Sequence, residues 1–169
     1  MTATAATPWR YGNLVAAIAT IASCDIALGF TFQLLPILME MQRIPAWIIG
    51  LNAAMGPIGI LLAGPFLPRL ISRVGAKRVA YVAVLFTMAA LFAFKAYPSL
   101  YIWFPLRFAL GIATGALFTI SEAWILTFAG PGSRGRIMGV YTSVMAISFS
   151  LGPFMLPFTG TEGWLPWLI

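Results

Sequence analysis

Five long apolar stretches, joined by short charged connections, constrain this chain more than any other feature. The first runs from Leu14 to Leu38 and is interrupted only by Asp25. The second, Trp47 to Leu67, carries no charge. The third, Val79 to Phe94, is shorter than the ~20 residues a bilayer requires, but Lys95 can snorkel at one end and Tyr81 can anchor the other. The fourth, Ser99 to Phe128, holds Arg107 and Glu122, and the fifth, Ile137 to Phe158, is free of charge. A sixth begins at Trp164-Leu165-Pro166-Trp167, where the sequence runs on to Ile169. Lipid offers the backbone no hydrogen-bond partner, and these runs lack the period-two alternation of barrel strands, so each is expected to be a helix. The fold class expected is therefore an all-α membrane protein: five transmembrane helices plus the beginning of a sixth.

Composition agrees. Hydrophobic residues make up 61% and charged residues 8%, against ~25% charged in ordinary soluble domains. Ten basic and four acidic side chains cannot cover a water-exposed surface of this size, so the apolar surface must face lipid. The net charge of +6 does not signal nucleic acid, because the basic residues fall between the apolar runs instead of along one solvated face. No histidine is present and Cys24 is the single cysteine, so neither a histidine-based triad, a multi-cysteine metal site nor an intrachain disulfide is available. No metal and no cofactor is expected. Ile21-Ala22-Ser23-Cys24 has the form of a lipoprotein processing box, but the apolar run continues past it to Leu38, as in a retained span.

The charged connections orient the chain. Arg10, Arg69, Arg73, Lys77, Arg78, Arg134 and Arg136 fall on one side, whereas Arg43 and Lys95 fall on the other with Glu40 and Glu162. Seven basic residues against two place the amino terminus in the cytoplasm of a multi-pass protein, most simply in a bacterial plasma membrane. Residues 1–13 form a cytoplasmic tail and residues 14–169 the transmembrane domain.

Several short motifs fall at informative places. Between the second and third spans the chain reads Pro68-Arg69-Leu70-Ile71-Ser72-Arg73-Val74-Gly75-Ala76-Lys77-Arg78. The fourth span contains Arg107, Gly111 and Gly115, a small-xxx-small face that lets another helix approach closely. Arg134-Gly135-Arg136 leads into the fifth span, which carries Ser148-Phe149-Ser150-Leu151-Gly152-Pro153 and then Pro157. In this order and on these spans, the motifs resemble those of the major facilitator superfamily. The first is similar to that family's Gly-x-x-x-Asp-Arg-x-Gly-Arg-Arg loop: Arg73, Gly75 and Lys77 match, while Pro68, Ser72 and Ala76 replace a Gly, the Asp and an Arg. Arg107 with Gly111 resembles the family's Arg-x-x-x-Gly-x-Gly, the second glycine sitting later here, at Gly115, and the fifth-span element resembles the Gly-x-x-x-Gly-Pro of antiporter-like branches, with Ser148 in place of the first Gly.

The resemblance implies the amino-terminal helix bundle of a secondary transporter, moving a small-molecule substrate by alternating access with protons as a candidate coupling ion. It implies a conformational switch at Arg73, Gly75, Lys77 and Arg78, and a helix hinge at Gly152 and Pro153. Members of the family are built from two six-span halves. The expectation is an incomplete half, so that activity would need a missing carboxyl-terminal half or self-association. The competing reading is a non-transporting membrane subunit, or an inactive truncated fragment. An enzyme is not expected, since no catalytic pair is visible.

Charges inside spans mark the candidate pathway, because each costs at least ~2.5–3.5 kcal/mol to insert at the bilayer centre. Asp25, Gly29 and Gln33 recur at intervals of four and give the first helix one polar stripe. Burial of Asp25 and proximity to Arg107 would act in opposite senses on its protonation, a competition that suits a proton-coupled carrier; a purely structural Asp25–Arg107 pair is the alternative. Arg107 and Glu122 are separated by about 22 Å along a helix and some 60° around it. They are expected at different depths of the same interior, with Glu122 either meeting Arg73 or Arg136 as a gate or snorkelling to the cytoplasmic surface. Asn52 on the second span is a further polar candidate. Phe, Met and Trp side chains are expected to pack or to face lipid, with an aromatic pocket for a drug-like solute as the alternative.

Overall fold

The computed structural model describes residues 8–128 and 132–160; the start of the sixth apolar stretch lies outside them. Among the described residues there are six helices and no strand: α1 (Pro8–Met41), α2 (Ala46–Ala63), α3 (Leu67–Val74), α4 (Ala76–Ala96), α5 (Leu100–Phe128) and α6 (Arg134–Thr159). Five of them, all but α3, are long and apolar enough to cross a membrane. The chain is an all-α, multi-pass membrane bundle, with one helix for each of the five apolar stretches.

The connection between the second and third spans differs from the loop read in sequence. Residues Leu67–Val74 form the short helix α3, which has Leu67, Leu70 and Val74 along one side and Arg69 and Arg73 elsewhere around it. A helix lets that stretch satisfy its own backbone at the membrane surface while each face meets the medium that suits it. Gly75 then turns the chain at φ 94°, a region closed to most L-residues. The third span starts at Ala76, not at Val79, because Lys77 and Arg78 remain exposed on its first turn.

At the opposite end, α1 closes into α2 through a Schellman geometry. Arg43 N–H donates to the Glu40 carbonyl (2.8 Å) and Ile44 N–H to the Met39 carbonyl (3.1 Å). The left-handed position is held by Arg43 at φ 58°, where glycine is usual.

The helices pack mainly as two pairs, α1 with α6 and α2 with α5, and α4 lies against α5. Each pair meets at glycines. A Cβ on Gly29 would run into the Phe149 carbonyl, and one on Gly152 into the backbone of Ile26, Gly29 and Phe30. In the second pair, Gly59 faces the Phe108 carbonyl and Gly111 the Gly56 carbonyl. Without a hydrophobic driving force between helices in lipid, such close backbone approach supplies the dispersion contacts that hold them. Helix α6 continues without interruption through Pro153 and Pro157 to Thr159, and Gly152 at its expected hinge is a packing point against α1.

Hydroxyl side chains within the spans turn back on their own helices. Thr31, Thr87 and Thr114 donate to the carbonyls of Ala27, Ala83 and Leu110, which satisfies them without a partner from the medium. Between α5 and α6, Ser121 and Tyr141 share a buried hydrogen bond of 2.7 Å.

Candidate functional site

The buried side chains separate into two apolar clusters with a polar layer between them. One cluster, at the end bearing α3, contains Ile21, Ala83, Leu117, Ile125 and Tyr141. The other contains Phe30, Leu34, Phe94, Trp103 and Leu110. On α1, Asp25 lies between Ile21 and Phe30; on α4, Thr87 lies between Ala83 and Ala90. Asp25, Asn52, Thr87, Arg107 and Thr114 are all buried. The ionisable Asp25 and Arg107 thus sit buried within the spans, where a charged side chain is costly to insert.

A cavity of about 130 Å³ opens in this layer between α1, α2, α5 and α6. Asp25 and Arg107 both line it, with Thr31, Phe32, Thr114 and Phe149 among their neighbours. The Arg107 guanidinium donates a long hydrogen bond (3.4 Å) to the Asn52 side-chain carbonyl and stacks over the Phe32 ring, 4.8 Å from its centroid. Neither carboxylate oxygen of Asp25 meets a donor of the chain, and the second guanidinium nitrogen of Arg107 and the amide nitrogen of Asn52 are likewise buried without an acceptor. Asp25 and Arg107 therefore share one cavity without a hydrogen bond between them. Buried groups left in this state keep their full desolvation cost, and of them the Arg107 guanidinium and the Asp25 carboxyl line the cavity and face whatever enters it.

The other sequence candidates lie elsewhere. Gln33 and Glu122 are exposed and outside the cavity lining, so the stripe of Asp25, Gly29 and Gln33 is divided. Asp25 faces the cavity, Gly29 is pressed against α6, and Gln33 is on the surface. Arg73, Gly75, Lys77 and Arg78 gather where α3 meets α4, and none of them lines the Asp25 cavity. Phe32, Phe118 and Phe149 contribute aromatic surface to the cavity, whereas the sequence pointed to packing or lipid for its aromatic side chains and singled out none of these three for a pocket. The available signal was Phe32 lying one turn beyond Leu28 and seven residues beyond Asp25 on the same helix.

Fold and site together define a polytopic helical membrane protein with an ionisable cavity between its helices. The model of the Major Facilitator Superfamily matches residues 15–169, and the chain belongs to that family. Similar proteins include the uncharacterized MFS-type transporter YfkF of Bacillus subtilis (strain 168), 29% identical over 141 residues, which are 83% of this chain and 36% of that protein. The uncharacterized MFS-type transporter Ent638_1421 of Enterobacter sp. (strain 638) is 24% identical over 145 residues, 85% of this chain and 38% of that protein. The uncharacterized MFS-type transporter YcaD of Salmonella arizonae matches to the same extent, at 24% identity. The chain thus spans little more than a third of the length of these relatives. No solved structure matches it.

Proposed function

We propose that this chain supplies the ion- and solute-handling cavity of a secondary transporter that moves a small solute by alternating access, coupled to protons at Asp25. The observation that carries this reading is the pair of unbonded opposite charges, Asp25 and Arg107, lining one interior cavity. A purely structural pair would be joined, since only mutual contact offsets the desolvation of two buried ions. Left apart, the carboxylate can take and release a proton, while Arg107, held by Asn52 behind it, offers a donor to an anionic or polar group of the solute. Phe32 and Phe149 give that solute apolar contact.

Membership of a transporter family and the length of the relatives support a second element of the proposal. Full activity needs a further helical bundle closing the cavity from its other side, supplied in the same polypeptide or by another copy. The seven-to-two distribution of basic residues favours a cytoplasmic amino terminus in a bacterial plasma membrane.

The test reconstitutes the chain in its full-length context into proteoliposomes with a pH-sensitive dye inside. A panel of organic cations, organic anions and neutral solutes is added outside. One class is expected to drive proton movement, and Asp25→Asn to abolish it. Asp25→Asn should also leave resistance to detergent unfolding unchanged or raise it, because the carboxylate it replaces is unpartnered. Wild-type proton flux in the variant would sink the coupling role, and a sharp loss of stability with retained flux would return Asp25 to a structural one.

A further inference from the structure

We propose that the cleft bounded by α3, α4 and α5 binds one anionic phospholipid from the surrounding leaflet. This cleft is separate from the Asp25 cavity and larger, about 380 Å³. Its floor is made by small side chains, Ala83 of α4 and Ala113 and Ala116 of α5. Exposed apolar side chains, Leu70 and Val74 of α3 and Val82 of α4, form its walls. On the outer surface of a membrane-embedded bundle such a recess lies open to acyl chains.

Its length and its charge select the occupant. Along α4 the lining runs from Arg78 to Phe86, about 12 Å at 1.5 Å per residue. That is most of the depth of one leaflet, half of the ~30 Å hydrocarbon core. An acyl chain laid against the alanine floor would fill it, and its headgroup would then stand at Arg78. Arg69, Arg73 and Lys77 are exposed at the same end, and no acidic residue occurs between Glu40 and Glu122. A guanidinium offers a phosphate diester paired donors, and the surrounding cations favour a lipid with net negative charge over a zwitterionic one. By contrast, a free anion would gain nothing from the apolar recess.

Native mass spectrometry of the detergent-solubilised chain tests this, with phosphatidylglycerol and phosphatidylcholine of matched acyl chains present together. One phosphatidylglycerol is expected to be retained in preference. Arg78→Gln should weaken that retention about fivefold, the factor given by ~1 kcal/mol per basic residue at the membrane surface. Val82→Trp, which places a large ring in the cleft at an exposed position, should abolish retention of either lipid. Met88→Trp, exposed on another side of α4, should retain the lipid, and circular dichroism should give all three variants the wild-type helix content. Four results would overturn the proposal: lipid retained in Val82→Trp, equal loss in Met88→Trp, displacement by inorganic phosphate, or a dimer that Val82→Trp dissolves.

Discussion

Replacing Gly152 by alanine adds one methyl group at the crossing of α1 and α6. An ideal Cβ there would stand 2.5 Å from the Ile26 carbonyl oxygen and 2.6 Å from the Gly29 carbonyl carbon, and closer still to the Phe30 nitrogen. All three are backbone atoms of a continuous helix, so none can turn aside as a side-chain end could. Restoring ordinary contact, which begins at 3.4 Å, requires α6 to withdraw by about 1 Å. A gap of that size forfeits roughly a quarter to a half of each dispersion well. At ~0.15 kcal/mol for each of on the order of 40 carbon pairs, the number one buried leucine makes, the loss is about 2 kcal/mol, within the ~1–3 kcal/mol typical of overpacking. The measurement is the midpoint of unfolding as sodium dodecyl sulfate is titrated into mixed micelles, followed by circular dichroism. Gly139→Ala is the matched control, since it lies on the same helix with nothing within 4 Å of its new Cβ. Gly152→Ala should unfold at clearly lower denaturant and Gly139→Ala at the wild-type midpoint or above. Equal midpoints would refute the claim that backbone contact at Gly152 holds the pair together.

Two other substitutions probe local geometry by the same assay. Arg43→Gly should stabilise the chain by about 1 kcal/mol, because the left-handed conformation at φ 58° costs any residue with a Cβ roughly 1–2 kcal/mol; a lower midpoint would show that the Arg43 side chain contributes more than its backbone strain. Ser121→Ala should cost more than Tyr141→Phe. Ser121 Oγ also donates to the Phe118 carbonyl (2.9 Å), so it keeps a partner when the tyrosine hydroxyl is removed, whereas the buried Tyr141 hydroxyl left by Ser121→Ala loses its acceptor at about 1–3 kcal/mol. The reverse order would mean that the hydroxyl finds another acceptor.

The number of spans and their order were legible because apolar length is a property of each segment alone. Lipid must be met by about twenty apolar residues whatever the neighbouring helices do, and the five stretches became α1, α2, α4, α5 and α6 with ends shifted by a few residues. Arg107 was legible as an interior residue for the same reason, its charge being too costly to face hydrocarbon. The small-residue face of Gly111 also announced itself, although its partner, Gly56 on α2, did not.

What the sequence left open were directions around each helix. Asp25 and Gln33 are only about 80° apart on a helical wheel, yet the first lines a cavity and the second is exposed. The side on which α6 closes against Gly29 decides between them, and that contact joins residues more than a hundred positions apart. Asn52 beneath Arg107, and Phe32 stacked against it, became partners through the α2–α5 and α1–α5 packing. The presence of a buried Asp25 and Arg107 was thus written in local cost, residue by residue. That they stand in one cavity without a hydrogen bond between them depends on how backbones pack at glycine crossings, and only the tertiary structure decided it.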